Sequence, residues 1–261
     1  MTEGEFSLPA LRHNLVRILG SDPPAMPPNL VVFDLETTDL EPRNGRIWQV
    51  GYFMLKDHQP VEGCEQGCSI ATEVEYEQAR KNSFEVSRRA ERLAKEFGHL
   101  TEAQLLDLAG RDFVDEVVTN GADRKQTFGF MSDFLREHEA KGWPICGHNM
   151  AIFDIPYFEY ECRREGLSYT FPRTGLIDTG MLIKAAKLDL RILDREDPID
   201  FFLRVGQVRA RGVYYAIERF CVPYWKLDQR YGLDMDQAHS AGYDCYLTAL
   251  ILKELIGEVA E

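Results

Sequence analysis

Four acidic residues and one histidine, gathered in three short stretches, are the side chains in this sequence best suited to chemistry: Asp34 and Glu36 in VVFDLETTDL, Asp154 in GHNMAIFDIPYF, and His239 with Asp244 in HSAGYD. Carboxylate oxygens are the ligands that hard cations such as Mg²⁺ and Mn²⁺ prefer. An imidazole that titrates near neutrality can take a proton from water. Brought together, these groups describe a site for two divalent cations with a histidine base beside it, which is equipment for cutting a phosphodiester with water.

The spacing of each group sets a condition on the elements that carry it. Asp34 and Glu36 lie two apart in LVVFDLE, whose β-branched and apolar content predicts a strand, so both carboxylates leave the same face. Asp-x-Glu alone says little in a chain with 43 acids, and Asp194 with Glu196 repeats it. The distinguishing context is the end of an apolar strand followed by Thr37-Thr38-Asp39-Leu40, where a buried sheet would open to solvent. Asp154 falls just after a short predicted strand, WPICG (143–147), near the start of a helix. An acid there also stabilises the helix dipole with no other role. His239 and Asp244, five residues apart, would point about 140° from each other on a regular helix. They can face one site only if His239 precedes the helix, with Ser240 as its N-cap.

The remaining elements follow from apolar periodicity and turn signals. Residues 7–19 predict an amphipathic helix, and SDPPAMPPN after it a stiff extended connector, so 1–29 reads as an N-terminal helix and Pro-rich connector preceding a domain over 30–261. RIWQVGYFMLK (46–56) predicts a second strand after a turn at Asn44-Gly45, and CSIA (68–71) a third. From about 73 to 140 the pattern is helical. Val86, Ala90, Leu93, Ala94 and Phe97 form one stripe, with Glu85, Arg88, Arg89, Arg92 and Glu96 opposite. Thr101 and Gln104 make a capping box for the next helix, and Phe128, Met131 and Leu135 line another over about 125–139. IPYFEYECRREG predicts a helix with Pro156 in its first turn; GLIDT (175–179) predicts a strand followed by a helix; 240–257 predicts a final helix. Strands first, then strands mixed with helices, indicate an α/β class with a mixed sheet.

Composition narrows the setting. The chain has 261 residues, 44% hydrophobic and 28% charged, as expected for a soluble globular protein. No run approaches the roughly 18 apolar residues of a membrane span. The acidic, Pro9-interrupted start does not read as a signal peptide, so a cytoplasmic location is expected, with the six cysteines as reduced thiols. Cys64 and Cys68 form one close pair with no second pair to complete a zinc site. A net charge of −13 argues against tight, non-specific binding of long duplexes. Two divalent cations would add about +4 locally. Arg204, Arg209 and Arg211 also lie in a stretch from Leu203 to Ile217 that contains no acid.

Taken together, the three stretches resemble the DnaQ-like 3′–5′ exonuclease family, in the branch with histidine before its last aspartate. DLETT matches the first motif, HNMAIFD the second and HSAGYD the third; Asp178-Thr179 agree more weakly. The tyrosine branch would need tyrosine at position 240, where this chain has Ser240, and Tyr243 is out of register. The resemblance covers roughly residues 30–257. It implies a ribonuclease H-like mixed central sheet flanked by helices, with helical insertions. It also implies that Asp34, Glu36, Asp154 and Asp244 ligate two Mg²⁺ or Mn²⁺ ions about 3.5–4 Å apart, with His239 as general base. The implied reaction releases 5′-mononucleotides stepwise from single-stranded or frayed 3′ ends of DNA or RNA. By motif position, the backbone at Thr37 would touch the terminal 3′-hydroxyl, Leu40 would wedge the last base, and Asn149 would position the loop of Asp154. Leu40 also reads as a core residue at a strand end. Asp39 stands where the family has glycine, and 188–213 is longer than a minimal member needs; both departures bear on substrate contacts.

Some features stay open at this level. Lys184, Lys187 and Arg191 read equally as phosphate contacts or as a solvated helix face, and Phe201-Phe202 as a stacking flap or a core pair. Two other functions compete: a catalytically silent nucleic-acid-binding module, which the filled catalytic positions disfavour, and a metal-dependent endonuclease or small-nucleotide phosphodiesterase. The sequence leaves DNA against RNA open, together with a homodimer or a polymerase partner.

Overall fold

A strand reading LVVFDLET is apolar along most of its length, and such a strand is stable only with both faces covered. It forms β1 (Leu30–Thr37), the centre of a five-stranded mixed sheet of order β3-β2-β1-β4-β5. The computed structural model describes residues 6–67, 84–209 and 217–259. β2 (Ile47–Lys56) pairs antiparallel with β1, and β3 (Gln59–Gly67) antiparallel with β2. On the other side β4 (Ile145–Gly147) and β5 (Leu176–Asp178) continue in parallel.

Alternation along β1 assigns its faces. Phe33 packs edge-on against Phe158 of α5 (Asp154–Arg164), with ring centroids 5.4 Å apart. Val32, Asp34 and Glu36 have the opposite parity. Asp34 pairs with Gly51 of β2, and the start of α10 (Ala241–Gly257) lies directly on that glycine. A Cβ at Gly51 would come within 2.4 Å of the Ala241 carbonyl carbon, so only glycine admits the helix at this height. The acids of β1 therefore face the first turn of α10.

Other helices brace this centre. α1 (Leu8–Leu19) is capped by Ser7 and joined by the Ser7 N–H to the Ala186 carbonyl (2.9 Å) of α6 (Thr179–Lys187). Its Leu11 and Leu15 are buried in the main core. α2 (Phe84–Glu96) and α3 (Glu102–Asn120) build a second apolar cluster around Trp48 of β2, which meets Phe113 edge-on at 5.0 Å. The expected capping box is present: the Gln104 side chain accepts from the Thr101 N–H at 2.9 Å, and the Gln104 N–H lies 3.4 Å from the Thr101 hydroxyl. α4 (Arg124–Ala140), α7 (Pro198–Gln207), a π-helical turn (Ile217–Cys221), α8 (Val222–Trp225), α9 (Leu227–Tyr231) and a 3₁₀ turn (Met235–Gln237) complete the described elements. Among the described residues no helix is long and apolar enough to cross a membrane.

Several expectations are revised. β3 is an edge strand whose sequence, QPVEGCEQG, contains Pro60 and little apolar content, so its local pattern gives no strand signal. Its hairpin with β2 turns on Asp57 and His58, both with positive φ (53° and 62°), where Asn-Gly would have been the recognisable signature. The third strand expected at CSIA (68–71) lies outside the described residues, as does Arg211. Phe201 and Phe202 are fully buried, which makes them a core pair. Lys184 is only 4% exposed and its ammonium donates to the Gly206 carbonyl at 3.0 Å, while Lys187 sits 3.5 Å from the centre of the Phe220 ring. These two lysines brace the fold and do not form a solvated phosphate-binding face. Arg204 is likewise engaged, with its Nε 2.7 Å from Glu196.

Candidate active site

β1 and β4 run parallel, with Val31 beside Ile145 and Val32 beside Cys146. β4 ends at Gly147, where the chain turns into His148-Asn149, while β1 continues to Thr37, so Asp34 and Glu36 lie beyond the end of β4. Carboxyl ends of neighbouring strands are where open α/β sheets leave a crevice. A cavity of about 530 Å³ opens there, and Asp34, Glu36, Asp154, His239 and Asp244 all line it. Leu40 and Asn149 line it as well. Thr37 does not; its hydroxyl donates to the Asp39 carbonyl at 2.9 Å, at the end of the strand.

The loop from His148 to Asp154 is held from below by one buried carboxylate. Asp178, the last residue of β5, accepts from the N–H groups of Asn149 (2.9 Å), Ala151 (2.9 Å) and Met181 (3.0 Å). It thereby caps α6 and fixes the loop with the same two oxygens. Asn149 adopts a positive φ of 64°, and its carbonyl accepts from Ile152 (3.2 Å) and Phe153 (3.1 Å). α5 then begins at Asp154, which is 2% exposed.

The opposite wall depends on β2. Gln49, paired with Glu36 across the sheet, accepts from the Ala241 N–H at 2.8 Å and so satisfies one of the open amides at the start of α10. Ser240 occupies the N-cap position, though its side chain makes no capping hydrogen bond, and His239 lies before the helix with φ 68°. Asp244 falls in the first turn, both of its oxygens 3.2 Å from the His239 N–H. The geometric condition read from the sequence is met: His239 is outside the helix, and both side chains reach one site.

The electrostatics describe a place short of positive charge. Glu36, His239 and Asp244 each offer a potential ligand atom within 4.8 Å of the others. Burial, followed by the charges of Asp244, Glu85 and Asp154, holds the Glu36 carboxyl well above the usual range, and Arg88 offsets only part of this. Burial and then the charge of Asp178 push Asp154 up to about 8, although the backbone N–H groups of Asp154 and Leu35 favour its charged form. Asp154 Oδ1 is buried without a hydrogen-bond partner. The thiol of Cys245 is raised by burial and then by Asp34, Asp244 and Asp154, which places Asp34 in the same field. Crowded carboxylates, an orphaned buried oxygen and an adjacent imidazole fit a divalent cation, whose charge would resolve the repulsion.

A stability prediction follows. The Asp154 pKa of about 8 in the folded protein exceeds the roughly 3.9 of an unfolded chain, so between these values the folded state binds more protons. Without metal, stability should therefore fall as pH rises from 5 to 8, and level off above that. Millimolar Mg²⁺ or Mn²⁺ should raise the Tm at pH 8 by about 5 °C or more, and less at pH 5, where protons compete for the carboxylates. Calorimetry with metal and with chelator checks this; equal increments at both pH values would remove the cation site.

Some lining residues escaped the sequence reading. His148 adjoins Asn149 in GHNM and was accessible by adjacency, as Phe153 was beside Asp154. Ile152 and Ile217 carried no signal. Arg88 and Glu85 belong to the polar face of α2, which looked like an ordinary solvated surface. Instead Arg88 donates to the Ala238 carbonyl next to His239 and pairs with Glu85 at 2.8 Å, so α2 reaches the edge of the site.

No family model matches the sequence. A DNA polymerase of Red sea bream iridovirus is 37% identical over 71 residues, which cover 27% of this chain and 7% of that protein. Among solved structures, E. coli exonuclease I is similar with a TM-score of 0.51 at 14% identity, covering 88% of this chain and 43% of that one. Its complex with a dT13 oligonucleotide gives a TM-score of 0.50 at 13% identity, covering 88% and 41%. The chain thus spans less than half the length of exonuclease I and a small fraction of the polymerase. At such identity the likeness establishes architecture: a ribonuclease H-like α/β fold, with a mixed five-stranded sheet flanked by helices.

Proposed function

We propose that this chain is a metal-dependent 3′–5′ exonuclease that hydrolyses phosphodiesters at single-stranded or frayed nucleic-acid ends and releases 5′-mononucleotides. The observation that carries the reading is that Asp34, Glu36, Asp154, His239 and Asp244 line one cavity at the end of β1. The four carboxylates would hold two Mg²⁺ or Mn²⁺ ions. When bound, such ions supply Lewis acidity toward the phosphate and a more acidic water.

The chain's own residues would do the rest. The His239 imidazole would take the proton of the attacking water, as a general base within reach of Glu36 and Asp244. Leu40 is 81% exposed at the cavity rim, which leaves its apolar side chain available to a terminal base. The Thr37 backbone, at the end of the strand that carries Glu36, would meet the terminal 3′-hydroxyl. Asn149, tied to Asp178, would keep the Asp154 loop in place. Residues 30–261 would form the working unit, with residues 1–29 bracing it in a cytoplasmic protein. That E. coli exonuclease I has been solved with dT13 supports a single-stranded substrate.

Product analysis tests the proposal. Oligomers of dT12 and U12, incubated with Mn²⁺, should shorten one residue at a time from the 3′ end and yield 5′-mononucleotides, and chelator should stop the reaction. Cleavage of circular single strands would point to an endonuclease. Binding without turnover would leave a silent module.

A further inference from the structure

A second cavity, of about 590 Å³, adjoins the first and shares His239 with it. Its charged lining is Arg88, Glu91, Arg92 and Lys95 from α2, with Lys226 and Asp228 from the α8–α9 junction. Four cations against two carboxylates form a locally basic trough in a chain whose net charge is −13. Such a concentration of positive charge is favourable for a polyanion at that spot and nowhere near enough for a long duplex.

The arrangement has direction. Residues 88, 92 and 95 recur at helical spacing, so they form a row about 10 Å long on one side of α2. Arg88 is the inner member, held by Glu85 and by the Ala238 carbonyl beside His239. Arg92, which also pairs with Glu85 at 3.8 Å, and Lys95 continue outward and are exposed, and Lys226, also exposed, lies in a left-handed break (φ 52°) between two short helices. Val222, Pro223 and Met235 supply apolar surface between the charges. A row of cations above an apolar floor matches a single strand, whose phosphates repeat along one edge while sugars and bases need a less polar surface.

We infer that this trough carries the single-stranded segment leading to the scissile phosphate, with Arg92, Lys95 and Lys226 meeting its backbone phosphates. The inference rests on the nuclease reading above. It adds that affinity for chains longer than two nucleotides arises on α2 and at the α8–α9 junction, outside the carboxylate cavity.

The test compares the full-length wild-type protein with the combined variant Arg92→Gln, Lys95→Gln, Lys226→Gln. Turnover is measured on dT2 and dT12 with Mn²⁺, and anisotropy of labelled dT12 is measured with Ca²⁺. The variant should cleave dT2 at the wild-type rate but show a KM for dT12 raised about 10-fold or more. Three phosphate contacts on a single strand give a log–log salt slope near −2, so wild-type affinity for dT12 should fall about 20-fold between 50 and 200 mM salt, and the variant should lose most of that dependence. Equal KM values and equal salt slopes in the two proteins would overturn the trough while leaving the nuclease reading intact. If the wild type cleaves neither oligomer, that reading fails, and the anisotropy arm alone decides the trough: weaker binding by the variant supports it, and equal binding overturns it.

Discussion

Asp244→Asn should lower hydrolysis of a 3′ end by at least about 10³-fold and leave the protein folded. The side chain is nearly isosteric and keeps an oxygen to accept from the His239 N–H, now 3.2 Å from both carboxylate oxygens. What disappears is one negative charge in a cluster with Glu36 and His239. A metal centre contributes several kcal/mol of charge stabilisation in the transition state, and about 4 kcal/mol corresponds to 10³ in rate. The fold should gain rather than lose in the absence of metal, because the Asp244 charge is the strongest neighbouring repulsion on Glu36. A single experiment therefore has two readouts that move in opposite directions: turnover collapses, while the metal-free Tm holds or rises. Asp34→Ala should match it in turnover. Near-normal rates from either variant with Mg²⁺ would sink the ligand assignment, and a Tm drop in Asp244→Asn would show that the carboxylate serves packing instead.

How far the site could be read from the chain alone depends on how local each constraint is. β1 was legible because an apolar run needs two covered faces, and the parity of Asp34 and Glu36 followed from the pleat. The placement of His239 outside α10 was legible too, since a five-residue gap on a helix would have separated the two side chains and Ser240 offered a cap. The ties that bring these parts together were not. Gly51 matters because Ala241, 190 residues later, rests on it, and Gln49 because its amide oxygen meets the same residue's N–H. Neither position has a periodic neighbour to announce it. Lys184 misled for the opposite reason. It sits at ordinary spacing in TGMLIKAAK, yet α6 is buried around nearly its whole circumference, so the ammonium turns to the Gly206 carbonyl. Asp178 stood at a motif-like position but had no evident role until its oxygens were seen to accept three amides on two elements. Burial pushes its carboxyl up to about 6 even so. A buried acid that organises the Asp154 loop raises Asp154 as well, so the scaffold itself helps make the site electron-rich and receptive to a cation.

His239→Asn should reduce kcat by about 10²–10⁴ with little change in KM, the loss expected when a general base is removed and its surroundings are kept. Asparagine is the informative replacement because His239 has a positive φ of 68°, a conformation that asparagine tolerates and alanine adopts at a cost. His239→Ala should show the same loss of kcat, with a lower Tm as the backbone strain is no longer tolerated as well. Two further observations distinguish a base from a structural residue. The Asp244 oxygens contact the His239 backbone N–H, so their position should survive the substitution, and metal-induced stabilisation at pH 8 should stay within a few degrees of wild type. Added imidazole should also recover part of kcat in His239→Ala, since it can enter the space left by the side chain at the cavity wall. If instead the Asn variant turns over at the wild-type rate, or the defect lies wholly in KM, the proton has another acceptor and His239 belongs to substrate binding.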